Sequence, residues 1–311
     1  MNLVRLMPIF SITMVALLTS GFKYDDFGGR SFDEIKKSGV LKVATRHRDG
    51  VSIKDPSGEP KGFQLCLVSE FAKKNKLKLE VEWRPFTFKY YFAKNGEYDE
   101  AKAKDETTTY TTDVLKKADI AVDGFSKLPW REKFGRFIQV STSRQMIIFN
   151  KTKMAKPTTI EDLKGRTVYV RPGTIQEDLA KEIAVKVPIT IKHYLQNALE
   201  SETTSELEPL KSGKADFMIY ASSYLLVDSR GIPNLDFGLA IGKVDGAHWM
   251  VARQNTSLET ALTKYIAAAQ ADGSYNRCWK ENYGLDYDSY IRNLSILSDT
   301  DESGPKSAPA K

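Results

Sequence analysis

Residues 115–122 have the sequence LKKADIAV, and residues 210–219 repeat that pattern loosely as LKSGKADFMI. In each segment the polar end of a helix passes directly into a short apolar run, which is typical of a buried strand. The repetition predicts two lobes built to one plan. The alternative is a chance likeness between two common helix-to-strand turns.

Strands and helices alternate outward from both segments, which predicts an α/β fold with mainly parallel pairing. Period-2 alternation indicates strands at residues 40–45 and 77–83, and an amphipathic pattern indicates a helix at residues 63–75. The length of 311 residues favours two compact units. The formal net charge is +6, but Lys and Glu are interspersed. That mixture indicates a solvated basic surface and argues against nucleic-acid binding.

The two ends of the chain differ from the rest in composition. Residues 1–22 have the layout of a secretory signal peptide, with Arg5 ahead of the uncharged apolar stretch from Leu6 to Phe22. A periplasmic location follows, with an uncleaved membrane anchor as the alternative. Residues 286–311 are predicted to be a largely disordered tail, because residues 299–311 are rich in Ser, Pro and charge.

The chain has two cysteines, Cys66 and Cys278, and three histidines. Export permits a disulfide between the cysteines. The sequence does not show that they meet, and two unrelated buried thiols are the favoured interpretation. No spacing typical of a metal site is present, so we expect neither a metal nor a cofactor.

Four segments carry a family resemblance. They are FDEIKKSGVLKVAT at residues 32–45, ADIAVDGFSKLPWREKFGRF at 118–137, IEDLKGRTVYVRPGTIQEDLA at 160–180, and LKSGKADFMIY at 210–220 together with DGSYNRCWKENYG at 272–284. In this order, the chain resembles the amino-acid-type periplasmic solute-binding proteins of ABC transporters, whose domain is the family 3 extracellular solute-binding domain.

The resemblance implies a two-lobed fold of the type II periplasmic-binding-protein kind, with two mixed sheets flanked by helices and joined by two hinge strands. We expect the chain to cross between lobes near Thr142 and Asp236. Lobe 1 then comprises residues 31–141 and 237–285, and lobe 2 comprises residues 142–236. The aromatic-rich residues 86–112 are predicted to be an insertion that packs on lobe 1. Covering the cleft or meeting a partner protein is the alternative.

Arg131 is the strongest candidate for ligand binding. It ends the segment SKLPWR, which is similar to a family stretch whose arginine binds the ligand carboxylate. A guanidinium pairs with a carboxylate through two parallel hydrogen bonds, so the residue type suits the task. The resemblance also implies contacts from Ser126, Gly124 and Phe125. A surface arginine paired with a neighbouring acid is the alternative.

A second candidate is the turn formed by Gly173, Thr174, Ile175 and Gln176, with Arg171 just before it. Unpaired N–H groups at a helix N-terminus attract anions, and the turn is similar to the family's G-T-T-Q turn. The sequence therefore predicts an anion site there. A plain capped helix start is the alternative.

Two acidic positions of the family differ here. In members that bind amino acids those acids hold the α-ammonium, but this chain has Arg46 at one place and Ala221 near the other. Asp123 remains as a candidate for an ammonium. We therefore expect an electropositive cleft that favours a di- or tricarboxylate, an acidic peptide or another organic anion. Its cations are predicted to be Arg46, Arg48, Arg131 and Arg171; a solvated loop pair is the alternative for the first two.

The function implied is capture of a small anionic or zwitterionic solute for the permease of an ABC transporter, by a monomeric protein that is not an enzyme. A sensing or partner-regulating module of the same fold is one alternative. An enzyme similar to periplasmic dehydratases or to cell-wall lytic enzymes that carry this domain is the other. No general acid or base was identified, and the short stretch after Gly284 leaves no room for an appended lytic domain.

Overall fold

The structure is a computed structural model that describes residues 29–48, 51–55, 57, 59–84, 88–193, 207–228 and 232–302. The predicted signal peptide at residues 1–22 and the last part of the predicted tail lie outside these residues. Most elements of the first lobe come before the point where the chain first crosses to the second lobe. They are α1 (Phe32–Ser38), β1 (Val40–Arg46), β2 (Ile53–Lys54), β3 (Pro60–Lys61), α2 (Phe63–Lys74), β4 (Lys78–Arg84), α3 (Phe88–Phe92), α4 (Glu100–Lys104), α5 (Asp113–Lys117), β5 (Ile120–Phe125) and α6 (Pro129–Glu132).

Two long strands, β6 and β10, run through both lobes. The second lobe lies between them in the chain, and three helices follow. The remaining elements are β6 (Gly135–Asn150), β7 (Thr167–Val170), α7 (Ile175–Lys186), β8 (Thr190–His193), α8 (Glu208–Lys211), β9 (Phe217–Ala221), α9 (Ser222–Asp228), β10 (Leu235–Ala252), α10 (Thr256–Ala271), α11 (Ser274–Tyr283) and α12 (Tyr287–Glu302). A single 3₁₀ turn, Glu161–Leu163, precedes β7.

The strands form one eight-stranded mixed sheet in the order β4-β1-β5-β10-β6-β9-β7-β8. The outer strands pair in parallel, as the alternation of strands and helices predicts, whereas β10 is antiparallel to β5 and β6. The resemblance implies two mixed sheets joined by two hinge strands. The two long strands β6 and β10 join the halves into one hydrogen-bonded sheet, because they pair from Gly135 and Ala252 at one end to Asn150 and Leu235 at the other.

Four apolar clusters fill the two faces of each half of the sheet, so each lobe has its own core. Trp249 of β10 belongs to a lobe 1 cluster, while Ile241 of the same strand packs with lobe 2. The pairing of β10 with β6 shifts register between Ile241 and Asp245. The second crossing therefore falls in this irregular stretch, some residues after the predicted position at Asp236.

A disulfide joins Cys66 of α2 to Cys278 of α11. The favoured interpretation of two unrelated thiols is therefore wrong. The two cysteines are far apart in sequence, but α2 and α11 pack side by side on one face of lobe 1, where Cys278 is fully buried. That packing brings together the two separate stretches of chain that build the lobe.

Residues 86–112 pack onto lobe 1 where the structure describes them. Tyr91 and Phe92 of α3 are buried against Phe125 and Phe134, and their rings meet those partners at centroid distances of 4.9 to 6.1 Å. Apolar burial of this kind fixes the short helix to the lobe despite its length of five residues.

For residues 287–302 the prediction of a largely disordered tail is contradicted, because α12 continues to Glu302. Tyr290 and Leu294 bury in the lobe 1 core and supply the apolar contact that the polar composition concealed. The hydroxyl of Tyr287 accepts a hydrogen bond from the Thr142 N–H at 2.9 Å, and that of Tyr290 donates to the Thr142 carbonyl at 3.0 Å. The helix is thus bonded to the strand that crosses between the lobes.

Candidate ligand-binding site

A cavity of about 100 Å³ lies between the two lobes. The carboxyl end of β5 and the start of α6 line it from lobe 1, while the turn before α7 and the end of β9 line it from lobe 2. Apart from Gly173 of the predicted anion turn, the residues predicted to bind ligand lie on its wall: Arg46, Asp123, Gly124, Phe125, Ser126, Arg131, Arg171, Thr174, Ile175, Gln176 and Ala221. The structure brings these separate segments to one place, and their binding roles remain predictions.

Arg131 is held in place by both lobes. Its side chain is 1% exposed, and its guanidinium donates to the carbonyl of Ser126 at 3.0 Å and to that of Gly173, in lobe 2, at 2.8 Å. It also lies 5.0 Å from the ring of Trp130. Burial lowers the pKa of Arg131 to about 9, and nearby acids including Asp245 oppose that shift. The alternative of a surface arginine is excluded by this burial.

Arg46 and Asp123 form a buried ion pair across neighbouring strands. Nε of Arg46 donates to Oδ1 of Asp123, and the two side chains are only 8% and 11% exposed. Burial raises the pKa of Asp123, and the charge of Arg46 opposes the rise. Tyr91 is fully buried beside the pair, where burial and then the charge of Asp123 raise its pKa. The acid expected to serve a ligand ammonium is therefore already matched with a cation.

Gly124 lies where a lobe 2 side chain closes onto lobe 1. The Tyr224 hydroxyl sits 3.4 Å from the carbonyl of Asp123 and 3.3 Å from that of Gly124. Gly124 has φ of +61°, and a Cβ placed there would lie 1.8 Å from the Tyr224 oxygen. Only glycine suits both the backbone conformation and the close approach.

Arg48 also reaches across the cleft. Its Nη2 donates to the Tyr220 hydroxyl at 2.6 Å, and its guanidinium carbon lies 3.6 Å from the centre of the Tyr224 ring. The interpretation of Arg48 as a solvated loop residue is wrong, since it is 9% exposed. Tyr224 was missed by sequence reasoning. Its place three residues after Ala221, one turn along a helix from a predicted site position, is the signal that could have found it.

The start of α7 satisfies much of its own hydrogen-bonding capacity. The Thr174 hydroxyl accepts from the Glu177 N–H at 3.3 Å, which makes it the N-cap of the helix. The Glu177 carboxylate in turn accepts from the Gly173 N–H at 2.8 Å and pairs with Lys181 and His193, each at 3.0 Å. One N–H group of the predicted anion turn, that of Gly173, thus bonds an internal carboxylate.

The side chains of Glu177 and Gln176 are each fixed by hydrogen bonds at this turn. Burial disfavours ionisation of Glu177, but its bonds to Gly173, Lys181 and His193 outweigh that effect and keep its pKa below the usual value. Gln176 turns toward the hinge, where its amide donates to the side chain of Gln145 on β6 at 2.9 Å. The turn therefore couples lobe 2 to a crossing strand.

Solved structures of binding proteins resemble this chain closely in fold. An arginine-binding protein mutant from T. maritima superposes with a TM-score of 0.61 at 21% identity, over 81% of this chain and 99% of that one. An amino acid ABC transporter substrate-binding protein from Streptococcus pneumoniae, bound to L-arginine, also superposes with a TM-score of 0.61 at 21% identity, over 81% and 98% of the two chains. The fold is that of the amino-acid-type solute-binding proteins. It confirms the predicted two-lobed architecture.

The curated relatives carry a different name. Membrane-bound lytic murein transglycosylase F of Stutzerimonas stutzeri is 22% identical over 81% of this chain and 48% of the relative, and that of Pseudomonas putida is 23% identical over 89% and 53%. This chain spans about half the length of the curated relatives it matches. The expectation that the chain is not an enzyme is contradicted, because these relatives are named as enzymes. No family model matches the chain.

Neither a metal-binding cluster nor a membrane-spanning helix is found in the part of the chain that the structure describes. No three His, Cys, Asp or Glu side chains within that part of the chain converge closely enough to hold a metal ion. Among the helices described, none combines the length and the apolar composition needed to cross a bilayer.

Proposed function

We propose that this chain captures a small carboxylate-bearing solute in the cleft between its lobes. The observation that carries the proposal is the cavity wall, where Arg46, Arg48, Arg131 and Arg171 come from both lobes. Arginine is the side chain best suited to bind carboxylates, because its planar fork matches their geometry. Neighbours of the same fold that are bound to arginine or glutamine support the use of this cleft for a small solute.

Capture proceeds by closure of the lobes about β6 and β10. Contacts between described residues that bridge the cleft include those of Arg131 with the Gly173 carbonyl, Arg48 with Tyr220, and Tyr224 with Gly124. Each forms only when the lobes approach, so each contributes to the closed state alone. A ligand that adds its own contacts to both lobes shifts the population toward that state.

We propose that the mature protein is periplasmic and that it delivers its ligand to the permease of an ABC transporter. The signal-peptide layout of residues 1–22 and the disulfide between Cys66 and Cys278 support export, since disulfides persist in oxidising compartments. The solved neighbour that is named as an ABC transporter substrate-binding protein supports the partner.

A second candidate follows from the curated relatives. In that case the chain is the ligand-binding module of a protein that acts with, or as, a murein lytic transglycosylase. The two candidates share the same cleft and differ in what closure controls. The test measures the release of soluble fragments from purified murein, with and without ligand. Release favours the second candidate, and its absence favours the first.

The binding proposal is tested by thermal unfolding with small carboxylates, neutral sugars and amines, because a ligand specific for the native state raises the midpoint. Binding of carboxylates is then measured calorimetrically for Arg131→Lys, which keeps the charge and removes the fork. Arg136→Lys is the matched control, since Arg136 pairs with Glu259 away from the cavity. We expect weaker binding for the first variant only. Stabilisation by sugars and by no carboxylate would overturn the proposal.

A further inference from the structure

The backbone of Gly173, in the turn before α7, is held from two sides. Its N–H donates to the Glu177 carboxylate at 2.8 Å, and its carbonyl accepts from Nη2 of Arg131, in lobe 1, at 2.8 Å. Gly173 has φ of +72°, a conformation that glycine enters and leaves freely. It has no side chain to limit it, so the direction of its carbonyl depends on the bonds made to its backbone.

Glu177 is itself firmly held, because its residue is only 5% exposed and both carboxylate oxygens have partners. While Oε2 accepts from Gly173, Oε1 lies 3.0 Å from Nζ of Lys181, one turn further along α7. The same oxygen lies 3.0 Å from Nε2 of His193 at the end of β8. The carboxylate thus joins a helix and a strand of lobe 2 to the turn, and fixes the turn to that lobe.

Helix capping does not account for the position of the Glu177 carboxylate. In a capping box the acid three residues into the helix bonds the N–H of the N-cap residue. Here the N-cap is Thr174, whose hydroxyl accepts from the Glu177 N–H at 3.3 Å. The Glu177 carboxylate bonds instead the residue before the cap. That residue, Gly173, is the one that meets Arg131 of the other lobe.

We propose that Glu177 is a positioning residue of the ligand site, which acts through Gly173 on Arg131. The Gly173 carbonyl holds one terminal nitrogen of the Arg131 guanidinium and the Ser126 carbonyl holds the other, so together they set the direction of the fork. Binding groups must be held within roughly 10–20° of the productive geometry. Glu177 does not line the cavity itself. The inference rests on the proposed function and adds to it a residue that does not touch the ligand.

The test measures binding by calorimetry at neutral pH with two probes, succinate and L-glutamine, the second being the ligand of a structural neighbour. Glu177→Leu keeps the size of the side chain and removes the acceptor, so both probes should bind about tenfold more weakly. Glu177→Gln keeps an oxygen for the Gly173 N–H and should bind within about threefold of wild type. Glu182→Leu, at an exposed position of the same helix, is the matched control and should leave both affinities unchanged. If Glu177→Leu does not fold, Glu177→Ala takes its place.

A double-mutant cycle shows whether Glu177 acts through the arginine. In a chain that already carries Arg131→Lys, Glu177→Leu should weaken binding by less than about threefold, because the fork that it positions is gone. A full tenfold loss in that background, or equal losses for Glu177→Leu and Glu177→Gln, overturns the inference and leaves the proposed function standing. So does wild-type affinity in Glu177→Leu. If the wild type binds neither probe nor any carboxylate of the thermal screen, the proposed function fails and the inference with it.

Discussion

Replacing Gly124 with alanine should separate closure of the lobes from folding. The residue has φ of +61°, so alanine costs about 1–2 kcal/mol of folding stability in this left-handed conformation. Its Cβ would also lie 1.8 Å from the Tyr224 oxygen, at the tip of a side chain that can swing away. The collision therefore acts mainly on the contact between lobes, although Nε2 of the buried Gln64 in lobe 1, 3.0 Å from the same Cβ, must also shift slightly.

The size of the effect on binding follows from the contacts that Tyr224 then loses. Its hydroxyl gives up a long hydrogen bond whose one proton is shared between two carbonyls at 3.3 and 3.4 Å, worth about 1 kcal/mol. Arg48 loses its stacking on the ring at 3.6 Å, worth about 1–2 kcal/mol when desolvated. The closed state is destabilised by about 2–3 kcal/mol in total. The dissociation constant should rise roughly 30- to 150-fold.

Gly39→Ala is the matched control. Gly39 has φ of +68° in the same lobe, and nothing lies within 4 Å of a Cβ built there. Both variants should lose the same 1–2 kcal/mol in chemical denaturation, whereas only Gly124→Ala should weaken binding of a small carboxylate in calorimetry. Equal affinities in the two variants would show that Tyr224 does not meet Gly124 when ligand is bound, and the account of closure would be refuted.

Two further predictions concern stability. Replacing both Cys66 and Cys278 with serine should lower the free energy of unfolding by about 2–5 kcal/mol, because the bridge closes a loop spanning 212 positions; denaturation that matches the oxidised wild type would contradict this. Glu177 has a lowered pKa in the folded state. Its contribution to the free energy of unfolding is therefore present above about pH 4.5 and is lost as pH falls through the folded pKa. Glu177→Gln should therefore show a shallower loss of stability than wild type between about pH 5 and pH 3, measured by denaturation at each pH, and parallel curves would exclude the role.

Short-range patterns predicted many elements well. The strands predicted at residues 40–45 and 77–83 appear as Val40–Arg46 and Lys78–Arg84, and the helix predicted at residues 63–75 as Phe63–Lys74. These segments alternate or repeat with a regular period and end at turn residues, so local sequence specifies them. The long strands β6 and β10 were not predicted at full length, because their exposure changes where each passes from one lobe to the other.

Long-range pairing accounts for most of what sequence reasoning missed. Arg46 and Asp123 are 77 positions apart, and Arg48 and Tyr220 are 172 positions apart. Nothing in the local sequence of either pair indicates its partner. The polar composition near the end of the chain gave a wrong prediction of disorder for a related reason. A few buried side chains such as Tyr290 decide whether a polar helix packs onto the lobe. Positions on the cavity wall could be found by resemblance, but their bonds required the fold.

The link between Cys66 and Cys278 has a consequence for the connectivity of the chain. All of the second lobe lies between those two positions, so the oxidised polypeptide is a covalent ring with two arms, which precede Cys66 and follow Cys278. A protease that cuts once anywhere within the ring opens it without releasing a fragment. The products separate only after reduction, so a single cut in the second lobe leaves both parts of the first lobe covalently joined.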